Sequence, residues 1–339
     1  MLKDVSKKLL YASGLLGLYH RLRNANSLTV VMFHRTLSPE DPRWKTCDPD
    51  YTLATSWLEQ SLAFFRKHYN VVSLDQVLAL RRTGKALPPR ALLITFDDGW
   101  ADNADYALPA LQRAGLPALL FVVADAVGTR QPFFQERLIA AWRRGAVRVA
   151  DLAAALSVED PAASTFDESI SGLRAVIARL ETLDATARER VLAPFMAKLD
   201  DGLRHMVTVD ELRRLEAGGV ALGLHGKTHT PMRLAADIDA ELSGARASLA
   251  HQLGEAGPGA VSMSFPHGSF DDAIAHRARE AGYELMFTSV PVLNPTGKDV
   301  SWLLGRTGFE TDAVVDRQGR FRDDWLALYL FRKPSRRLA

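Results

Sequence analysis

The amino-acid sequence predicts an α/β protein whose parallel strands close into a barrel. Short, continuous apolar runs recur along the chain, and such runs are typical of strands that are buried on both faces. Segments with helical periodicity lie between the runs, and this alternation favours parallel strands joined by helices. The predicted strands are residues 28–33, 71–73, 91–96, 118–123, 220–224, 261–265 and 285–289.

The number and spacing of these runs favour a barrel over an open sheet. Seven strands with short connections suit a distorted (β/α)7-type barrel. No Gly-x-Gly-x-x-Gly motif follows the first strand, so a dinucleotide-binding fold has no support. Predicted helices include residues 56–69, 104–114 and 239–253, and Gly115 and Gly254 follow the last two as stop signals.

One long stretch interrupts the alternation of strands and helices. Residues 129–205 are rich in Ala, Leu, Arg and Glu and contain helical patterns at 169–183 and 185–199. We therefore predict a helical insertion at 129–205, which either caps the mouth of the barrel or lies along its side. The barrel itself is assigned to residues 28–128 and 206–315.

The two ends of the chain are basic, whereas its middle is mildly acidic. Residues 1–27 carry five Lys/Arg against Asp4, and residues 316–339 are predicted to form a basic tail. This distribution excludes a basic nucleic-acid-binding body. It favours contact between the basic ends and an anionic membrane surface, although tails that only raise solubility would have the same composition.

The first apolar run resembles the start of a signal peptide, because Lys7 and Lys8 precede residues 9–19. The run is shorter than the roughly 20 residues that a spanning helix needs. No small-x-small cleavage site directly follows it. We therefore expect a basic amphipathic segment and a cytoplasmic protein, peripheral at the inner membrane surface.

Candidate catalytic residues follow three of the predicted strands, at the end of a parallel barrel where active sites collect. Asp97 and Asp98 follow the strand at 91–96, and two adjacent carboxylates are tolerated most readily when a cation shares the site. A solvated acidic turn is the alternative, since Asp-Asp-Gly also suits a turn. His225 and His229 follow the strand at 220–224 in a predicted loop, where imidazoles can bind a metal or simply lie on the surface.

The third segment is Phe265-Pro266-His267-Gly268. A strand that runs into proline and glycine forms a fixed turn, and the backbone N–H groups of such a turn can point at a ligand. The same residues could also serve only to end the strand.

In this order the three segments resemble the motifs of the polysaccharide deacetylase family, which is the fourth family of carbohydrate esterases and contains the NodB homology domain. Residues 95–99, Thr-Phe-Asp-Asp-Gly, are similar to its first motif. Residues 225–229 are similar to its second, and residues 265–268 to its third. The resemblance covers roughly residues 28–310, apart from the insertion.

The resemblance implies one divalent metal ion, with zinc first among the candidates, held by Asp98, His225 and His229. Three protein ligands with exchangeable positions are what catalytic zinc requires. Asp97 would be the general base that takes a proton from metal-bound water. The backbone near Pro266 and His267 would help to stabilise the oxyanion.

Two departures from the family pattern concern the remaining roles. The family's late histidine is absent after residue 290, so His34, at the end of the first strand, is assigned as general acid, as in members that resemble a circular permutation. A histidine that only caps the core is the alternative. Ser264 stands where an arginine commonly pairs with the base, and Arg306 either supplies that charge or is an ordinary surface arginine.

The function implied is removal of N-acetyl groups from a glycan or exopolysaccharide precursor, that is, hydrolysis of a linear amide bond. Deformylation or deacetylation of a lipid-linked sugar is an alternative within the same fold. A barrel that binds glycan without catalysis is a second alternative, which the intact set of Asp97, Asp98, His225 and His229 disfavours. A glycoside hydrolase would instead place two carboxylates on separate strands and use no metal.

Overall fold

The computed structural model describes residues 2–160, 166–254, 259–297, 300–309, 311 and 314–332. The chain divides into two units. The first contains the residues up to Ser38, Asp50–Gly128 and those from Val207 onward, and the second contains Pro39–Pro49 and Thr129–Met206.

A ten-stranded sheet forms the centre of the first unit. Its strands are β1 (Ser27–Phe33), β4 (Asn70–Val71), β5 (Ala91–Phe96), β6 (Ala118–Val122), β7 (Val220–Leu224), β8 (Ser262–Ser264), β9 (Leu285–Phe287), β10 (Asn294–Pro295), β11 (Leu303–Leu304) and β12 (Thr307–Gly308). Their spatial order is β10-β1-β5-β6-β7-β8-β9-β11, and β12 pairs with β1 and β4 with β5. A separate pair joins β2 (Arg35–Leu37) to β3 (Thr52–Ala54).

Nearly every pairing in this sheet is parallel, and only β10 runs antiparallel to β1. The carboxyl ends of the parallel strands therefore meet at one end of the sheet. The predicted α/β barrel is confirmed, and each of the seven apolar runs overlaps a strand of the sheet, by a single residue in the case of the run at 71–73.

The last two strands almost close the sheet into a barrel. β11 pairs with β9 and β12 pairs with β1, and only Gly305 and Arg306 separate them. Asn294 reinforces this seam: its Nδ2 donates to the carbonyl oxygens of Leu28 (3.1 Å) and Gly305 (2.8 Å), and its Oδ1 accepts from the Gly305 N–H (2.9 Å). The seam brings residues from positions 28 and 305 side by side.

Strand β5 shows why the strands are continuous apolar runs. Leu92, Ile94 and Phe96 pack into the large apolar cluster that includes residues of the surrounding helices. Ala91 and Leu93 pack on the opposite face, with side chains from other strands of the sheet. Because successive residues of a strand point to opposite faces, both sets must be apolar.

The helices, in chain order, are α1 (Leu2–Ala12), α2 (Leu15–Arg23), α3 (Thr55–His68), α4 (Leu74–Thr83), α5 (Leu108–Ala114), α6 (Phe134–Arg143), α7 (Val149–Glu159), α8 (Ile170–Thr182), α9 (Ala185–Leu192), α10 (Met196–Leu199), α11 (Val209–Ala217), α12 (Ala245–Leu253), α13 (Asp272–Glu280) and α14 (Asp323–Arg332). Capping boxes mark two of the starts, Ser73 with Gln76 at α4 and Thr208 with Glu211 at α11.

Two predicted helices begin differently from expectation. The segments predicted at 104–114 and 239–253 start as π-helical turns, Asn103–Ala107 before α5 and Ala240–Gly244 before α12. Hydrophobic periodicity reports the face that a helix buries and does not distinguish an i→i+5 turn from an i→i+4 turn.

The second unit contains helices α6 to α10 around an apolar core of its own. Leu138, Leu152, Leu173 and Leu180 are among its fully buried residues. Pro39–Pro49, which no sequence pattern had associated with these helices, belongs to the same unit. Two charged groups attach this segment: Arg174 donates to both carboxylate oxygens of Asp48 (2.7 and 2.8 Å), and Arg143 donates to the carbonyl of Cys47.

The predicted basic tail at 316–339 is wrong in its helical part. Residues Asp323–Arg332 form α14, which buries Leu326, Leu330 and Phe331 in the core. His20 of α2 stacks on Phe331 with a ring separation of 4.1 Å. Within this helix Arg332 is the single basic residue, and residues 333–339 lie outside the described residues. Among the helices that the structure describes, none has both the length and the apolar character needed to cross a membrane.

Candidate metal centre and catalytic residues

The predicted site residues come together at the carboxyl ends of the parallel strands. Asp97 and Asp98 follow β5, and the Asp97 N–H donates to the carbonyl of Phe33 at the end of β1 (3.0 Å). His225 follows β7 and His229 lies in the loop beyond it. Both aspartates and His225 are buried, and His229 is partly buried. The solvated-turn and surface-histidine interpretations are therefore excluded by burial.

Asp98 faces the two histidines with one oxygen. Its Oδ1 lies 3.5 Å from Nε2 of His225 and 3.3 Å from Nε2 of His229. Its other oxygen, Oδ2, accepts a hydrogen bond from the indole N–H of Trp100 at 2.9 Å. Burial alone would raise the pKa of Asp98, but the hydrogen bond and charge of His229 hold that pKa well below its ordinary value.

The three donor atoms fit a divalent metal ion. One ligand atom from each of Asp98, His225 and His229 lies within 4.8 Å of the others. Two ligands about 2.0–2.1 Å from a tetrahedral zinc ion lie about 3.3 Å apart, which matches the carboxylate-to-imidazole separations. One carboxylate and two imidazoles also suit other first-row divalent ions.

The ring of His225 is oriented by the strand beside it. Its Nδ1 lies 3.1 Å from the carbonyl oxygen of Ser264 and 2.6 Å from the Ser264 hydroxyl. A ring that donates from Nδ1 to a backbone carbonyl presents Nε2 as the ligand atom. Burial lowers the pKa of His225 to about 4, so the ring is in the neutral form that binds metals.

Asp97 is held by a guanidinium instead of imidazoles. Arg306 Nη1 donates to Asp97 Oδ1 at 2.6 Å, and Nη2 donates to Oδ2 at 2.8 Å. Arg306 also donates to the carbonyl of Thr288 (3.0 Å) and is almost completely buried. It is thus not a surface arginine. Burial alone would raise the pKa of Asp97, but the charge of Arg306 outweighs that effect and keeps the pKa below its ordinary value.

Ser264 lies between Asp97 and His225. Its hydroxyl is 2.6 Å from Nδ1 of His225 and 3.4 Å from Oδ1 of Asp97. A small residue thus occupies the position where the resemblance implied an arginine, and Arg306 reaches Asp97 from the seam of the barrel instead.

The backbone of the site is strained at two of the candidate ligand residues. Asp98 has φ 79° and His229 has φ 64°, and both values lie in the left-handed region that non-glycine residues rarely adopt. Gly99 follows Asp98 with φ 81°, and a Cβ atom there would lie 3.2 Å from Cγ1 of Val122. Backbone strain of this kind clusters at functional sites.

The three other predicted residues lie around this centre. His34 follows β1, is partly buried, and is near enough for its charge to lower the pKa values of both aspartates. Its ring meets that of Tyr51 edge to face at 4.9 Å. Pro266 is buried, whereas His267 is exposed, has φ 56°, and places its ring 4.6 Å from that of His229.

Sequence reasoning missed a polar network behind Asp98. The Arg35 guanidinium lies over the Trp100 ring at 4.3 Å, and it donates to Oδ2 of Asp102 at 2.8 and 2.9 Å. Oδ1 of Asp102 accepts from the Thr36 N–H at 2.9 Å. Arg35, Trp100 and Asp102 are all buried, so Trp100 is held where it can orient Asp98. Trp100 directly follows the Asp-Asp-Gly motif, and that position is the only sequence signal for it.

Glu241 braces the histidine loop and was also missed. Its Oε2 accepts from the N–H groups of Lys227 (2.7 Å) and Thr228 (3.1 Å), and its Oε1 accepts from the Thr228 hydroxyl at 2.5 Å. Gly226 has φ 73°, and a Cβ atom there would lie 3.0 Å from Oε2 of Glu241. A glycine at position 226 thus leaves room for the carboxylate that braces the loop.

Both π-helical turns contribute a polar side chain to this end of the barrel. Glu241 lies in the turn Ala240–Gly244. Asn103 lies in the turn Asn103–Ala107 and donates from Nδ2 to the carbonyl of His34 at 3.0 Å. Single π-helical turns are frequent at functional sites because they redirect individual side chains.

Comparison with known proteins agrees with this geometry. A sequence model of the family described as polysaccharide deacetylase matches residues 84–151, which include both aspartates. The poly-beta-1,6-N-acetyl-D-glucosamine N-deacetylase of Staphylococcus aureus (strain MSSA476) is 30% identical over 127 residues, which are 37% of this chain and 41% of the relative. The protein of the same name from Escherichia coli (strain K12) is 34% identical over 92 residues, 26% of this chain and 14% of the relative. The matched part is thus less than half of either relative.

Solved structures share the fold at low identity. IcaB from Ammonifex degensii superimposes with a TM-score of 0.56 at 18% identity, covering 90% of this chain and 97% of that structure. The Streptococcus pyogenes deacetylase PplD, in complex with acetate, gives a TM-score of 0.55 at 13% identity, covering 90% and 98%. The circularly permuted arrangement stays a prediction. The family model and the named relatives show that the part of the chain around residues 84–151 is similar to polysaccharide deacetylases, and the solved structures show that the chain shares their fold.

Proposed function

We propose that this protein is a metal-dependent hydrolase that removes N-acetyl groups from a glycan. The observation that carries the proposal is the placement of Asp97 beside the donor set of Asp98, His225 and His229. Two adjacent carboxylates have separate partners there, so one can serve a cation while the other handles protons. Relatives with N-deacetylase names support the choice of reaction.

The metal ion would be held by Asp98 Oδ1 and by Nε2 of the two histidines. When bound, a divalent ion supplies Lewis-acid polarisation of the acetyl carbonyl and makes water more acidic. Zinc is the first candidate because the donor set and spacing suit it. The chain's own residues keep the donors in place: Ser264 orients His225, Trp100 orients Asp98, and Glu241 holds the loop that carries His229.

Asp97 would act as the general base. Arg306 keeps its carboxylate ionised, so it can accept a proton from the attacking water at neutral pH. As the proton arrives, the guanidinium keeps the carboxylate in position through two hydrogen bonds. His34 would protonate the leaving amine, because it lies at the same end of the barrel and is near enough to influence both aspartates.

The substrate would be an N-acetylated polysaccharide, such as a β-1,6-linked N-acetylglucosamine polymer. This choice rests on the names of the relatives. The exposed ring of His267, beside His229, would contact the sugar. An acetylated or formylated lipid-linked sugar is the second candidate, favoured by the apolar, basic segment at residues 1–27.

The test is metal content together with acetate release. The full chain is analysed for divalent ions and then incubated with a β-1,6-linked N-acetylglucosamine oligomer, and free amine and acetate are measured. We expect about one ion per chain and stoichiometric amine and acetate. A chain that binds the oligomer but releases no acetate with zinc or other first-row ions would be a glycan-binding barrel instead. Acetate release only from a lipid-linked acceptor would select the second candidate.

The compartment is a separate proposal: a cytoplasmic protein, peripheral at the inner membrane surface. It rests on the basic residues and the apolar run of the first 27 residues. Fractionation of cells that produce the full chain tests it. Recovery from the cytoplasmic membrane fraction, with protection from protease added outside intact cells, is the expected result. Secretion or a shortened N-terminus would overturn it.

A further inference from the structure

Helix α2 has one face that is covered by the protein and an opposite, apolar face that is exposed. On the inner face Leu16, His20 and Asn24 are buried. The ring of His20 stacks on Phe331 at 4.1 Å, and its Nε2 lies 3.1 Å from the carbonyl of His68. These contacts fix the rotation of the helix about its axis. The packing of this inner face therefore holds the residues of the opposite face toward the solvent.

The outer face of α2 is an uninterrupted apolar stripe. Leu15, Leu18, Tyr19 and Leu22 follow the i, i+3, i+4, i+7 spacing of one helix face, and each is between 45% and 74% exposed. Helix α1 adds Val5 and Leu9, one turn apart and 55% and 65% exposed. We call these six residues the N-terminal apolar face.

Exposed apolar side chains are more concentrated here than elsewhere in the described part of the chain. Of the twelve large apolar side chains that are exposed in the described part of the chain, seven lie between residues 5 and 22. The other five, such as Val158 and Leu234, are scattered. Single exposed apolar residues need no explanation, whereas a grouped set marks an interaction surface.

Basic side chains border the N-terminal apolar face. On α2, Arg21 and Arg23 lie on the two sides of the stripe, at the angles that a 3.6-residue helix gives them. Lys8 is exposed beside Leu9 on α1, and Lys67 of α3 lies 5.9 Å from the Tyr11 ring. The acidic group on these two helices, Asp4, faces Lys7 at 3.9 Å, and Asp323 of α14 is the acidic neighbour of Tyr11.

We propose that the N-terminal apolar face docks on the surface of an anionic phospholipid bilayer. Helices with an apolar stripe between cationic side chains lie in the plane of the interface, with the stripe among the acyl chains and the cations at the phosphates. The five Lys/Arg of residues 1–27 face a single acidic residue, so a negative surface complements this segment. Tyrosine at the border, as at position 19, suits the same depth.

Vesicle binding by the full chain tests this surface without reference to deacetylase activity. The probe is phosphatidylcholine vesicles with or without about a quarter phosphatidylglycerol, followed by flotation. The variant is Leu18→Gln with Leu22→Gln, which changes exposed side chains and spares the buried face. Val158→Gln, an exposed apolar residue of the second unit, is the matched control.

We expect the wild type and Val158→Gln to float with anionic vesicles. The double variant should bind at least about 10-fold more weakly, and Lys8→Gln with Arg21→Gln should remove the preference for phosphatidylglycerol. Equal binding by the wild type and Leu18→Gln/Leu22→Gln would overturn the proposal, as would no binding by the wild type. A wild type that is dimeric in light scattering, with a monomeric double variant and no flotation, would assign the face to a second copy of the chain and would also overturn it.

Discussion

Two neighbouring carboxylates in this protein have opposite surroundings. Arg306 donates hydrogen bonds to both carboxylate oxygens of Asp97. Asp98 instead has its Oδ1 near the imidazoles of His225 and His229, and its Oδ2 accepts from the indole N–H of Trp100. Both are buried, and both pKa values lie below the ordinary value for different reasons. The two aspartates are the same residue type, so the difference between their surroundings comes from partners in distant parts of the chain.

The largest expected effect is on the Asp98 side. Asp98→Ala removes one of three ligand atoms and leaves two imidazoles, so we expect metal content to fall from about one ion per chain to near zero, with loss of turnover. Elemental analysis of wild type and variant prepared identically measures this, with circular dichroism as the folding control. Unchanged metal content in the variant would show that Asp98 is not a ligand.

Asp97→Asn should separate the two carboxylates. The amide keeps the shape of the side chain but cannot accept the proton, so turnover should fall roughly 100-fold or more while the metal is retained. The measurement is kcat together with metal content. Wild-type turnover in this variant would sink the assignment of Asp97 as base.

His34→Ala tests whether His34 is the general acid that protonates the leaving amine. Loss of the group that protonates the leaving amine should lower kcat about 100-fold with metal content unchanged. His267→Ala is the matched comparison, because the ring of His267 lies beside that of His229. Full activity of His34→Ala with a large loss in His267→Ala would transfer the acid role to His267.

The ion pair on the Asp97 side can be tested through stability. Arg306→Met leaves a buried carboxylate without its partner, so the free energy of unfolding should fall by about 3–5 kcal/mol. Adding Asp97→Leu removes the unpaired charge and should restore much of that loss, without restoring activity. Chemical denaturation of the two variants measures both effects. A single variant as stable as wild type would mean that the pair does not form.

The smallest effect is expected at Trp100. Trp100→Phe keeps the ring but removes the N–H that holds Asp98 Oδ2, so metal affinity should fall about 10-fold, within the range for outer partners of a ligand. Turnover at saturating metal should stay near the wild-type value. Competition with a chelator gives the affinity. A loss of turnover at full metal occupancy would instead give Trp100 a role in the reaction.

The fold was predictable because its signals are local. The seven predicted strands overlap apolar runs in the sequence, and the Asp-Asp-Gly and His-x-x-x-His spacings are short motifs that the sequence shows directly. The short strands β2, β3 and β10 to β12 were not predicted, because they are only two or three residues long. What could not be predicted depends on contacts between distant residues. Glu241 lies in a helix with no distinguishing neighbour, yet it accepts two N–H groups of the histidine loop. The apolar residues of α14 pack against α2 and other distant parts of the chain, and the basic composition of the C-terminal residues gave no sign of that contact.

The contact between Arg306 and Asp97 also could not be predicted from neighbouring residues in the sequence. In the sequence Arg306 could be a surface residue or the partner of the base, because nothing nearby distinguishes the two. The answer depends on how the sheet closes, since only the pairing of β11 with β9 and of β12 with β1 carries the guanidinium to Asp97. Closure of a barrel is a property of the whole sheet.

The position of Arg306 in the seam has a consequence for the order in which a ribosome completes the site. The two aspartates and both histidines are synthesised well before residue 306, so every proposed metal ligand exists while the barrel is still open. Asp97 lacks its counter-charge until the seam strands emerge. A nascent chain can therefore hold the three proposed ligand side chains before Asp97 has its partner, and the same short segment that closes the sheet also completes the surroundings of the proposed base.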